Sequence, residues 1–312
     1  MSEEPITRMD PVPEEEPAPE RVSTLGLVLR AIFFLVIVWV GIRVFGWLVY
    51  ETLGYLPAAV LSVFAASSLA SVFVVRVYER GRLEDIGMGW GTQSTRQFWI
   101  GLGAGAVAAA AVTLFAVSLG LATFVKSTEP AMAFGFSKLF YVATLLLFGV
   151  VGEELMFRGY AFQLLAGSFG PWPVIPAFGV LFGAAHLWNT EVSSMGIANT
   201  ALWGILLGFA MWRSGALWLP IGLHFGWNLA LPLAGTKLSG ITLGLSGYEL
   251  SWSASTWLSG GAYGVEASVL TSAACLAMLA WLWRSRIERQ PSLLLDARKE
   301  AAPEPPPPGD AD

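Results

Sequence analysis

Gly149-Val150-Val151-Gly152-Glu153-Glu154-Leu155-Met156-Phe157-Arg158 lies inside an apolar run from about Leu139 to Leu165, long enough to cross a bilayer as a helix. Two adjacent carboxylates and a guanidinium at that depth cost roughly 2.5–3.5 kcal/mol each, even on the most lenient insertion scale. Helical geometry gives them different neighbours. Arg158 follows Glu154 by four residues and shares its face, whereas Glu153 points about 100° away. One carboxylate is therefore paired and its neighbour is left free. A buried ion-pair cluster that fixes helix register is the structural reading of such a trio. A functional site is the default reading of ionisable groups inside a membrane, and the rest of the chain favours it.

The 312 residues are 55% hydrophobic and 13% charged, with a mean hydropathy of +0.61, the profile of a polytopic membrane protein. The net charge of -5 belongs to the ends: residues 1–22 and 285–312 hold thirteen of the 23 acids. Between them the chain is slightly basic. Cys275 is the only cysteine, which excludes an intramolecular disulfide and a cysteine-rich metal site and reads as a small packing residue. No basic stripe suits a nucleic-acid partner.

Residues 1–22 and 285–312 are rich in proline and acids and read as disordered tails; the acidic start and late apolar run do not suit a cleavable signal peptide. The stretch 23–284 reads as one membrane domain, with its polar motifs between 139 and 233. Eight apolar spans fall at about 26–50, 55–77, 97–122, 139–165, 174–189, 196–212, 215–233 and 267–283. The expected fold is an all-α, polytopic helical bundle around a polar intramembrane cavity. Gly101, Gly103, Gly105 and Ala108 to Ala111 suit close helix packing in the third span. No internal repeat is present.

Orientation follows from lysine and arginine. With both termini in the cytoplasm, twelve bases lie inside, among them Arg76, Arg80, Arg82, Arg96, Arg213 and Arg284. Only Lys126, Lys138 and Lys237 lie outside, so the positive-inside rule places a multi-pass protein in the plasma membrane with cytoplasmic N and C termini. Arg30, in the first span, is expected to snorkel. Arg43 has no evident place.

Glu153 and Glu154 are the only acids deep in a span, and both histidines of the chain, His186 and His224, also fall in spans. His186 follows Phe182 by four residues; His224 precedes Asn228 by four. Each pair shares one helix face. A lone histidine in an apolar helix is usually a hydrogen-bonded packing residue. Here every deep acid and every histidine occurs in three neighbouring spans, and the parts suit hydrolysis. A carboxylate accepts a proton from water while a histidine orients that water or protonates the leaving amine. A second histidine with an asparagine donates to a developing oxyanion.

At these residues the chain resembles the CAAX-protease and bacteriocin-processing (CPBP, or Abi) intramembrane endopeptidases, relatives of the type II CAAX prenyl endopeptidases. Their pattern of Glu-Glu-x-x-x-Arg, Phe-x-x-x-His and His-x-x-x-Asn/Asp is met in order by Glu153, Glu154 and Arg158, by Phe182 and His186, and by His224 and Asn228. The resemblance extends over about 80–285. It implies that Glu153 with His186 activates water, that His224 with Asn228 forms the oxyanion pocket, and that Glu154, Arg158 and Phe182 support the site or orient substrate. The substrate would be a membrane-associated protein or peptide. Some members remove the last three residues of prenylated proteins; others are linked to bacteriocin maturation or immunity.

Glu153, His186 and His224 also make up a donor set that a catalytic zinc accepts. Asn228, one turn from His224, suits a hydrogen-bond donor pair better, and favours hydrolysis without a cofactor. The rival class is a non-catalytic scaffold or transporter using the same cluster to bind a partner or a proton. A transporter would show inverted repeats or broken helices in matching halves. A scaffold would tolerate Glu153→Gln.

Overall fold

The structure is a computed structural model that describes residues 22–300; the expectations for residues 1–21 and 301–312 lie outside the described residues. Helices dominate. α1 (Thr24–Leu53), α2 (Tyr55–Tyr78) and α3 (Thr92–Ser118) are long and apolar. A short strand β1 (Ala122–Lys126) leads to α4 (Phe136–Arg158), α5 (Tyr160–Phe169), α6 (Pro171–Ala185), α7 (Ser194–Ser214) and α8 (Trp218–Leu233). The outer loop then holds β2 (Tyr248–Trp252) and the single turn α9 (Thr256–Ser259), before α10 (Val269–Arg284) and α11 (Leu293–Glu300). The bundle is polytopic, as the apolar runs require.

Among the described residues, five helical stretches are long and apolar enough to cross a membrane: Thr24–Leu53, Tyr55–Tyr78, Thr92–Ser118, Phe136–Phe169 and Ser194–Ser214. The other three expected spans are helices, but short ones. α6, with 15 residues, reaches only about 22 Å, against a hydrocarbon core of about 30 Å. Proline and glycine set these limits. Gly159 separates α4 from α5, and Gly170, at φ 88°, lets the chain turn directly into Pro171 of α6. The fourth span is thus a broken helix rather than one rod.

The α3–α8 contact positions both motif residues of α8. A Cβ at Gly105 would lie 2.1 Å from the Leu223 carbonyl oxygen, and one at Gly222 would lie 2.2 Å from that of Phe98. Only hydrogen at both positions lets the two backbones approach this closely. The expectation of tight packing holds at Gly101 and Gly105, with α8 as the partner helix, whereas Gly103 meets open space.

Some contacts go beyond the sequence reading. Arg30 does not snorkel alone: its guanidinium pairs with Glu79 Oε1 at 3.5 Å and lies 4.6 Å over the Tyr78 ring. Tyr160 donates to the same Glu79 oxygen at 2.8 Å, so one carboxylate ties α1, α2 and α5. Between the helices, β1 and β2 pair antiparallel from Ala122↔Trp252 to Lys126↔Tyr248.

The stretch after Arg284 does not leave the bundle at once. The Gln290 backbone N–H donates to the Ser214 carbonyl at 2.7 Å, Ser292 Oγ donates to Gln163 Oε1 at 2.8 Å, and Leu294 and Leu295 are buried. Leu293-Leu294-Leu295 is an apolar triplet inside polar sequence, and burying it outweighs the tail-like composition around it.

Candidate active site

Glu153 and Glu154 sit in the last turns of α4, and their environments differ as the helical angle requires. Glu154 and Arg158 are both fully buried, and Arg158 donates to Glu154 Oε1 at 3.1 Å. The second guanidinium nitrogen donates to the Gly204 carbonyl of α7 at 3.1 Å. Charge-assisted bonds of this kind are stronger than neutral ones. Glu153 is 29% exposed at its side chain and faces the cavity.

Both histidines are held by Nδ1. His186 caps the end of α6, and its Nδ1 lies 2.7 Å from the Phe182 carbonyl oxygen. A carbonyl only accepts, so Nδ1 carries the proton and Nε2 keeps its lone pair in the neutral ring. His224 Nδ1 lies 2.9 Å from Glu154 Oε1, the oxygen already bonded to Arg158. Nδ1–H therefore donates there too, and Nε2 of His224 comes within 3.8 Å of Glu153 Oε2. Glu153 thus has His224 within ion-pair reach and not His186, whose ring turns back along α6 to its own backbone.

Phe182 holds the group together. Arg158 stacks 4.4 Å over its ring, and the ring centroids of His186 and His224 lie 4.7 and 5.9 Å away. Glu154 and Arg158 have no exposed surface.

Glu153, His186, His224 and Asn228 line one cavity of about 250 Å³, together with Asn189, Ser239 and Glu266. Glu266 reads in the sequence as an end-of-span acid, with no periodic signal to mark it. The outer loop folds it back so that Trp227 Nε1 donates to its Oε1 at 3.1 Å and the Ser239 backbone N–H donates to its Oε2. Burial raises the Glu266 carboxyl above the ordinary carboxylate range, against the lowering effect of those two donors and of the nearby histidines. Trp227, between the motif residues of α8, was the one available signal: a buried indole N–H requires an acceptor.

The donor set His186, His224 and Glu153 is chemically suited to zinc, and Nδ1 anchoring of both rings is usual for ligand histidines. Their arrangement does not converge. Among the described residues no group of three or more His, Cys, Asp or Glu side chains is placed to hold a metal ion.

Residues 134–230 match the protein-family model described as Rce1-like, type II CAAX prenyl endopeptidase Rce1-like. This stretch of the chain is similar to that family. The match runs from just before α4 into α8, and so includes all seven motif residues named above and excludes Glu266. No curated protein matches the chain significantly.

Proposed function

We propose that the protein is an intramembrane endopeptidase that hydrolyses a peptide bond of a membrane-associated protein or peptide. The observation that carries this reading is that Glu153, His186, His224 and Asn228 line one cavity within the stretch similar to the Rce1-like family. Glu153 accepts a proton from water as the water oxygen attacks the scissile carbonyl carbon; the His186 Nε2 lone pair accepts from the same water and orients it. The carbonyl oxygen becomes an oxyanion, to which the Asn228 side-chain amide and His224 Nε2–H donate. With Nδ1 committed to Glu154, His224 can donate from Nε2 only when its ring carries both protons.

Collapse of the tetrahedral intermediate breaks the C–N bond. The proton held by Glu153 passes to the leaving amine, which departs as one product, and the new carboxylate is the other. A second assignment exchanges the histidines. The 3.8 Å approach of His224 to Glu153 favours His224 as the partner in water activation, leaving His186 beside Asn189 on the cavity wall. In both assignments Glu153 is the base, and neither step requires a metal.

Identification of new protein termini in membranes carrying the wild type or Glu153→Gln tests the proposal. Termini present with the wild type and missing with the variant support it. Identical sets of termini overturn it in favour of a scaffold.

A further inference from the structure

A separate groove lies on the outside of the bundle where α6, α7 and α10 meet, and it shares no lining residue with the cavity of Glu153. It measures about 290 Å³. Ile175 of α6 and Phe209 of α7 are buried at its floor, and Pro176 and Leu279 line its sides. Trp172 and Trp283 stand at its rim, 58% and 64% exposed. The Trp283 ring stacks on Phe209 at 5.9 Å and lies 6.2 Å from Trp172, which meets Trp212 at 5.5 Å. Ring contacts among three helices hold these walls in place, and the apolar shape suits an acyl chain.

Apolar walls alone do not select one lipid from another, because lipid tails are as apolar as the side chains they touch. The selective element is charge. Arg213 follows Trp212 at the end of α7, Arg284 follows Trp283 at the end of α10, and Arg286 lies two residues on. Arg213 Nη2 donates to the Ser285 carbonyl at 2.7 Å, which holds the two helix ends together. The nearby acids are engaged elsewhere: Glu288 pairs with Arg96 and Asp296 with Arg289. Among the described residues no carboxylate pairs with Arg213, Arg284 or Arg286. Tryptophan favours the headgroup level of a bilayer, so Trp172, Trp212 and Trp283 put this end of the groove where lipid phosphates lie.

We propose that this groove binds an anionic phospholipid, with one acyl chain against Ile175 and Phe209 and the phosphate among Arg213, Arg284 and Arg286. Guanidinium groups pair with phosphate oxygens through parallel N–H donors, and basic pockets between helix ends hold anionic headgroups. Each arginine at that level gives about a fivefold preference for an anionic over a zwitterionic lipid. The proposal stands apart from the endopeptidase reading, since none of these residues lines the cavity.

Quenching by nitroxide-labelled lipids tests it. In a Cys275→Ala background of the full chain, a bimane fluorophore is attached at Leu276→Cys, an exposed position of α10 one turn from Leu279. Val107→Cys, exposed on α3, is the reference. Each protein is reconstituted in phosphatidylcholine bilayers with increasing fractions of phosphatidylglycerol or phosphatidylcholine that carries a nitroxide on the acyl chain. Half-quenching at Leu276→Cys should need at least tenfold less of the phosphatidylglycerol probe; at Val107→Cys the two probes should be equivalent. Arg284→Gln with Arg286→Gln, both at exposed positions, should erase most of the difference. Equal half-quenching by the two probes at Leu276→Cys, the same preference at Val107→Cys, or a preference untouched by the two substitutions overturns the proposal.

Discussion

His224 Nδ1 donates to Glu154 Oε1 across the α4–α8 contact at 2.9 Å, and Arg158 donates to that same oxygen at 3.1 Å. One buried carboxylate oxygen therefore fixes both the end of α4 and the ring of α8 that faces Glu153. The arginine of the motif acts on the site through this oxygen.

Breaking that link should cost stability before it costs chemistry. Arg158→Gln leaves Glu154 buried without its cation, a loss of about 3–5 kcal/mol. The expected outcome is a reduced yield of folded protein and a lower Tm in detergent. Arg158→Met combined with Glu154→Leu should recover much of the Tm, because a buried pair is replaced by apolar groups of similar volume. The double variant should still lack activity, with His224 released from its anchor. Full activity in that variant would show that the anchor is dispensable.

Asn228 is half-buried on the cavity wall, one turn beyond His224. As an oxyanion donor, its loss in Asn228→Ala should lower kcat by about 100–1,000-fold, with KM for a cleaved substrate little changed. A rise in KM at constant kcat would instead make Asn228 a substrate-binding group.

Glu266 gives a pH signature. Its carboxyl is raised by burial, so the folded state holds its proton more tightly than the unfolded chain does. The resulting stability is present below the ordinary carboxylate range and is lost as pH rises through the raised value. The Tm of the wild type should fall over that interval, and Glu266→Gln should flatten this part of the profile. Parallel profiles for the two proteins would show that Glu266 binds its proton equally tightly in the folded and unfolded states.

Activity should survive removal of metal. The donors Glu153, His186 and His224 do not form a converged ligand set, and the proposed steps use a carboxylate base with hydrogen-bond donors. Protein purified through chelator should keep its rate. Loss of activity restored by one equivalent of zinc, with binding that requires both histidines, would reverse this.

Much of the site was legible because its signals are local. The i,i+4 relation pairs Glu154 with Arg158 and leaves Glu153 free, and the same period puts His224 and Asn228 on one face; 3.6 residues per turn is sufficient for both. Apolar runs marked the helices for the same reason. The count of full crossings was less legible, since Gly159 and Gly170 divide an apolar stretch that hydropathy reads as continuous.

Tertiary structure alone decided what crosses between elements. His224 and Glu154 are 70 residues apart in sequence, and their contact depends on α8 seating against its neighbours, including the close α3 contact at Gly105 and Gly222. Glu266 reaches the cavity through a loop with no period to reveal its path. Leu294 and Leu295 dock a segment whose composition alone marks it as a tail. Helical periodicity is a property of neighbours in the chain, readable from sequence; which faces meet is set by backbone approach and buried area among distant segments. The sequence therefore determined the membrane bundle and its polar residues, and the packing determined which carboxylate oxygen holds which ring.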